Sequence, residues 1–258
     1  MIASLMMYGR GELADANDRF WDLIRANLEA AGVLAPGQLS QSVEEMAVWF
    51  DPDLVLSQTC GMPFRVMLHD KVQLVGTPNY GLEGCAAGQY RSAIVVRKDD
   101  PRGALAAFEN AVFAYNQTMS QSGFAAPYFH AKSQGVWFKS QLATGGHVMS
   151  ARAVAEGRAD IAALDAVSWR LMQRYDGFAD HLRVLEWTAP TPGLPLITSL
   201  QHDPDVMFEA VSGALKHLSS EDQDALGLRG LVRFSMDDYL SVPNPPEDAG
   251  VVQNRVGE

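Results

Sequence analysis

One pattern recurs along the chain and limits what it can become: a short apolar run, a small polar turn, then the start of a helix. It is clearest where Ala111-Val112-Phe113-Ala114 runs into Tyr115-Asn116-Gln117-Thr118-Met119-Ser120-Gln121-Ser122-Gly123-Phe124. The apolar run reads as a strand, and Ser120 or Ser122 as the N-cap of the helix that follows. Asp53–Ser57 with Gln58-Thr59-Cys60-Gly61 repeats the order. Further on, Ser150–Glu156 has helical spacing and Ala159–Asp165 reads as a short buried strand. Strands alternating with helices in this way define an α/β fold, and such folds keep their sites at the carboxyl ends of the strands.

Each of these turns has a chemistry of its own. A helix start offers unpaired backbone N–H groups and the positive end of the dipole, and hydroxyls of Ser120 and Ser122 add donors at the same point. Gly123, without a Cβ, is read as letting a ligand approach the backbone. The 115–124 stretch is therefore a candidate anion cradle, although an ordinary capped helix has the same spacing. Thr59 is a second candidate, with a plain helix cap as its alternative. Tyr8 follows the apolar Ile2–Met7, read as a strand, and either faces a ligand or packs under the loop. Asp165 closes its strand as a ligand acceptor or as the N-cap of the next helix. His147 follows Thr144-Gly145-Gly146 and is either a ligand donor or a surface or cap histidine.

The rest of the chain reads more plainly. Phe20, Trp21, Ile24 and Leu28 fall at helical spacing within 14–31, with Gly32 as the closing cap. Val43–Trp49 reads as a strand or helix end, Gln73–Pro78 as a strand, and an Ala-, Leu- and Phe-rich helix is expected after Lys98-Asp99-Asp100-Pro101. Strands are expected at 182–188 and 196–199, an amphipathic helix at 203–218, and a loose tail at 243–258.

Composition excludes several functions. The 258 residues are 47% apolar with a formal net charge of −11, which gives ample core and opposes binding to nucleic acid or to an anionic membrane surface. No run approaches the roughly 18 apolar residues of a membrane span. The six histidines are scattered and suggest no metal pair. Ser120-Gln121-Ser122-Gly123 lacks the first glycine of a nucleophile elbow. No cofactor loop is visible, so the expectation is a binding protein without metal, cofactor or turnover.

Several segments in order carry a family resemblance: Gln58-Thr59-Cys60-Gly61, Tyr90-Arg91-Ser92, Asn116-x-x-x-Ser120-x-Ser122-Gly123-Phe124, Gly145-Gly146-His147 with Ser150–Asp160, Ala162-Ala163-Leu164-Asp165 and Pro192-Gly193-Leu194-Pro195. Together they resemble the phosphate- and phosphonate-type substrate-binding proteins of ABC transporters. The resemblance implies a two-lobed, type 2 periplasmic binding protein fold, each lobe a mostly parallel sheet flanked by helices and joined by two crossover strands. Residues 1–88 and 189–258 would form lobe I, and 89–188 lobe II. It also implies hinge closure over a small phosphate- or phosphonate-like anion, with Tyr8, Thr59, Tyr90, Ser120, Ser122, Gly123, His147 and Asp165 as ligand positions. The implied protein is a monomer with a permease partner in the periplasm, where Cys60 and Cys85 would form a disulfide; as reduced core residues they would stay unpaired. Met1–Tyr8 lacks a basic n-region and a cleavage site. The readings are thus a mature exported chain with an added Met, or a cytoplasmic member. Basic residues are scarce near these loops, which keeps a small organic acid or a pyrimidine-type ligand open. A sensory module or a cofactor-biosynthesis enzyme on the same fold are the other classes.

Overall fold

The computed structural model describes residues 1–250. In chain order the strands are β1 (Ile2–Ser4), β2 (Leu54–Gln58), β3 (Val72–Asn79), β4 (Gln89–Tyr90), β5 (Ser92–Arg97), β6 (Val112–Tyr115), β7 (Ser140–Ala143), β8 (Ile161–Asp165), β9 (Leu182–Trp187), β10 (Thr191–Pro192), β11 (Leu196–Ser199) and β12 (Gly230–Val232). The helices are α1 (Ala14–Ala30), α2 (Glu45–Trp49), α3 (Gly61–Pro63), α4 (Ala126–Ser133), α5 (His147–Ala155), α6 (Ala166–Tyr175), α7 (Pro204–His217), α8 (Ser220–Leu226) and α9 (Met236–Leu240).

Two compact units result. Unit 1 comprises Met1–Gln89 and Pro192–Val242, and unit 2 comprises Tyr90–Thr191 with the segment from Pro243. Each contains a five-stranded sheet, ordered β1-β2-β11-β3-β12 in unit 1 and β7-β6-β8-β5-β9 in unit 2. Most strands of each sheet run one way, as expected, with exceptions. In unit 1 only β1 and β2 pair in parallel, because β11 runs against both β2 and β3 and β12 runs against β3. In unit 2, β6 is parallel to β7 and β8, while β5 runs against β8 and β9. One reversed strand, β11 or β5, thus sits inside each sheet, and unit 1 has a second, β12, at its edge.

The unit 2 sheet is covered on both faces, and β5 shows why its sequence is apolar throughout. Ala93 and Val95 pack into one core with Ala162, Leu164 and Trp169. Ile94 and Val96 pack into the other with Phe108, Phe113 and Ile161. Period-two alternation with both faces dry turns Ser-Ala-Ile-Val-Val into an unbroken hydrophobic run. In unit 1, α1 buries Phe20, Trp21, Ile24 and Leu28 along one stripe. It ends before Gly32, whose φ of +79° is the left-handed conformation that glycine adopts without penalty. Tyr239 ties α9 down: its hydroxyl donates to the Gly193 carbonyl at 2.9 Å and also pairs with Thr77. Burial pushes this phenol well above its usual pKa.

Several expectations need correction. Val43–Trp49 contains a helix, α2, started by Glu44, whose carboxylate accepts from Ala47 N at 3.0 Å. The expected helix after Pro101 is one 3-10 turn at Leu105–Phe108. Ile2–Tyr8 is a three-residue strand and a separate 3-10 turn at Met6–Tyr8. The 243–250 part of the expected tail packs into unit 2: Ala249 is buried, and its carbonyl accepts from Trp137 Nε1 at 2.9 Å and Gln141 Nε2 at 3.0 Å. A short apolar anchor in a polar segment escapes any periodicity test. Residues 251–258 of that tail lie outside the described residues.

Candidate functional site

Unit 2 gathers most of the candidates at one edge of its sheet. The parallel strands β6 and β8 end at Tyr115 and Asp165, and the reversed β5 begins at the same edge, with Ser92 opposite Asp165. Three helical segments start there. A π-helical turn, Gln121–Ala125, runs on into α4, with α5 and α6 beginning at His147 and Ala166. Parallel strands deliver their carboxyl ends together, so the helix starts and their unpaired N–H groups converge.

The 115–124 loop is built from local bonds. Ser120 is the N-cap, its hydroxyl accepting from Gly123 N at 3.0 Å, and its carbonyl accepts from Phe124 N and Ala125 N at 3.2 and 3.0 Å. Its connection to the next turn is equally specific. Thr144 N donates to Tyr115 O at 2.9 Å and Gly145 N to Asn116 O at 3.0 Å. Gly145 has a φ of +86°, which redirects the chain into α5. These bonds bring two residues 25 positions apart together: Ser122 Oγ lies 3.0 Å from His147 Nε2. Ser92, which the sequence reading did not select, fixes the other side of Ser122 by donating its hydroxyl to the Ser122 carbonyl at 2.8 Å. Its own amide donates to Thr188 Oγ1 at 2.9 Å.

His147 is the first residue of α5, and its Nδ1 is sealed from solvent without a well-formed hydrogen bond. Burial lowers its pKa to about 4, with the Ala163 backbone beside the ring working weakly the other way. The imidazole is therefore neutral at pH 7, and the Ser122–His147 contact is a hydrogen bond between neutral partners.

The remaining candidates divide. Asp165 is 2% exposed and caps α6, its Oδ1 accepting from Val167 N at 2.7 Å and Ser168 N at 3.0 Å. Gly123 sits against the Asn116 side chain. A Cβ there would lie 1.9 Å from Asn116 Oδ1, so the space is occupied by the asparagine side chain. Tyr90 is buried at the start of unit 2.

Thr59 and Tyr8 belong to unit 1. Thr59 is fully buried at the end of β2 with its N–H donating to Pro195 O at 3.0 Å. Tyr8 packs edge-to-face on Tyr80, with centroids 5.0 Å apart. Unit 1 also holds a feature that the scarcity of basic residues had hidden. After α3 comes a π-helical turn, Phe64–Leu68, containing Arg65 at 6% exposure, the one buried lysine or arginine among the described residues. Its only sequence signal is its position six residues after Thr59. Cys60 is buried at the N-cap of α3 and Cys85 half-buried in the loop between β3 and β4, and no disulfide joins them.

Among the described residues no helix is long and apolar enough to cross a membrane, and no group of His, Cys, Asp and Glu is placed to hold a metal. Two units, each with a mixed sheet flanked by helices, define an α/β protein, and unit 2 collects hydroxyls and an imidazole at helix starts. The comparisons specify it. A family model described as "ABC transporter, phosphonate, periplasmic substrate-binding protein" matches residues 55–239, and the chain belongs to that family.

Solved structures share its type 2 periplasmic binding protein fold. PhnD1 from Prochlorococcus marinus, in complex with methylphosphonate, is 15% identical with a TM-score of 0.69, covering 94% of this chain and 95% of that one. A binding protein component of an ABC phosphonate transporter from Pseudomonas aeruginosa is 17% identical with a TM-score of 0.63, covering 94% and 83%. XAC2383 from Xanthomonas citri, bound to ATP, is 15% identical with a TM-score of 0.65, covering 92% and 91%. No curated protein matches the chain by sequence.

Proposed function

We propose that the chain holds a phosphonate- or phosphate-like oxyanion at the unit 2 sheet edge and delivers it to an ABC transporter permease from the periplasm. The observation that carries this reading is the Ser122–His147 pair placed between two helix starts. In the tautomer with the proton on Nε2, His147 donates to Ser122 Oγ and leaves the Ser122 O–H directed to a ligand oxygen. Ser120 anchors the turn, and the dipoles of the converging helices balance the charge that a neutral imidazole does not. Tyr90 and Asp165 stand at the same edge, and Asp165 acts first as the cap of α6. Tyr8 and Thr59 are the unit 1 candidates. The protein binds its solute without converting it, since Ser122 faces a histidine whose low basicity makes it a weak general base.

The test is calorimetric titration of the purified chain with methylphosphonate, inorganic phosphate, sulfate and a small carboxylate. Saturable binding of a phosphorus oxyanion, with sulfate and carboxylate at least tenfold weaker, supports the proposal. Tighter binding of the carboxylate overturns the ligand class and leaves the fold intact.

A further inference from the structure

Unit 1 encloses a cavity bounded by α1, α7, α8 and the adjoining sheet residues. Its walls are largely leucine, and its polar members, Tyr8, Asn17, Gln58 and Tyr80, carry no charge at neutral pH. The free interior is about 40 Å³, and the space counted out to the open mouth about 540 Å³. The interior accepts a group of a few heavy atoms, with the rest of a ligand in the mouth.

Asn17 is the anomaly. It lies on the buried stripe of α1 between Leu13 and Phe20, is 8% exposed, and makes no side-chain hydrogen bond to another described residue. A leucine at this position would simply continue the stripe, whereas an amide that lines the cavity is open to a ligand or to water. The neighbouring polar groups are already engaged: Gln58 Nε2 donates to Leu194 O at 3.1 Å and lies 3.3 Å from the Tyr80 hydroxyl. The unmet hydrogen-bonding capacity belongs to Asn17.

We infer that this cavity is a second small-molecule site, for an uncharged molecule with a compact apolar body and one hydroxyl, of the phenol or alkanol kind. An amide offers a donor and an acceptor, and a hydroxyl answers both. An anion is rejected because its desolvation meets no cation in these walls. The site lies within unit 1, shares Tyr8 with the oxyanion candidates, and does not depend on the function proposed for unit 2.

Phenol titrated into the full chain, with methyl NMR as the readout, tests the inference. Saturable shifts are expected at Ile24, Leu215 and Leu228, which line the cavity, and benzoate should produce none. Asn17→Leu should weaken phenol binding at least fivefold while leaving the methylphosphonate titration as it is in the parent protein. Absence of saturable shifts, equal binding of benzoate, or unchanged phenol affinity in Asn17→Leu overturns the site. Should that variant fail to fold, the parent protein decides with toluene, which has the shape without the hydroxyl. Toluene at least fivefold weaker than phenol supports the inference, and equal affinity overturns it.

Discussion

The two π-helical turns share a local plan and differ in chemistry. Each comes a few residues after a strand whose last residue is polar, and the buried stretch is Gly61–Arg65, which is α3 and the start of its turn, in unit 1 and Gln121–Ala125 in unit 2. In unit 2 the cap is a serine that bonds back to Gly123 N, and a second serine reaches a neutral histidine. In unit 1 the cap position is Cys60, with no side-chain cap bond, and the polar resource is the buried guanidinium of Arg65. Similar backbone can therefore present either adaptable neutral donors or a fixed charge. A hydroxyl–imidazole pair can redistribute its protons to suit a ligand, whereas an arginine stays charged and must be matched.

The largest effect should come from the serines. Ser120→Ala combined with Ser122→Ala is expected to weaken oxyanion binding at least tenfold in calorimetry while circular dichroism shows a folded chain. An equal loss in Thr59→Val would erase the contrast between the turns.

The second effect concerns acid. His147 has its folded pKa lowered from 6.5 to about 4 by burial, so the unfolded chain binds the extra proton first. Stability from this residue is complete above the unfolded pKa and declines as pH falls from about 6.5 to about 4, by a total on the order of 3 kcal/mol. Urea unfolding at pH 7 and pH 4.5 should show this loss, and His147→Gln should flatten it. A slope that survives the substitution would assign the acid sensitivity to other groups, with the half-buried His202, also lowered by burial, the first to examine.

Next comes the tight contact inside the unit 2 turn. Gly123→Ala forces a Cβ against Asn116 and should cost about 1 to 3 kcal/mol in chemical denaturation. Asn116→Ser should restore most of it by shortening the opposing side chain. A neutral Gly123→Ala would mean that the loop yields easily, and the rigidity assigned to this turn would be lost.

The smallest effect is expected in unit 1. Tyr239→Phe removes the hydroxyl that bonds Gly193 O and Thr77 and should lower stability by about 1 kcal/mol, with oxyanion affinity unchanged. A loss of affinity there would show that the unit 1 scaffold contributes more to binding than the contrast allows.

Much of the fold was legible because it is local. The stripe of α1 and its Gly32 stop, the strands at 54–58, 72–79, 161–165 and 196–199, and the caps Ser120, Asp165 and Asp203 all lie in short windows of chain. Elements without such signals were missed. β7 is a half-exposed strand with no alternation, and α8, β12 and α9 fall in a stretch read without structure. The candidate site was legible as residue types at helix starts. The hydrogen bond from Ser92 to Ser122, the Asn116 side chain against Gly123, and the burial of Arg65 were not.

The sequence by itself determined the α/β class, the family and the serine-capped helix start, because strand periodicity and capping depend on neighbours a few residues away. Tertiary structure decided the protonation of His147, the reversed strand inside each sheet, and which polar groups are left without partners. Those properties depend on desolvation and on contacts between residues far apart in the chain, such as Ser122 with His147, Ser92 with Ser122, and Asn17 within the cavity of unit 1.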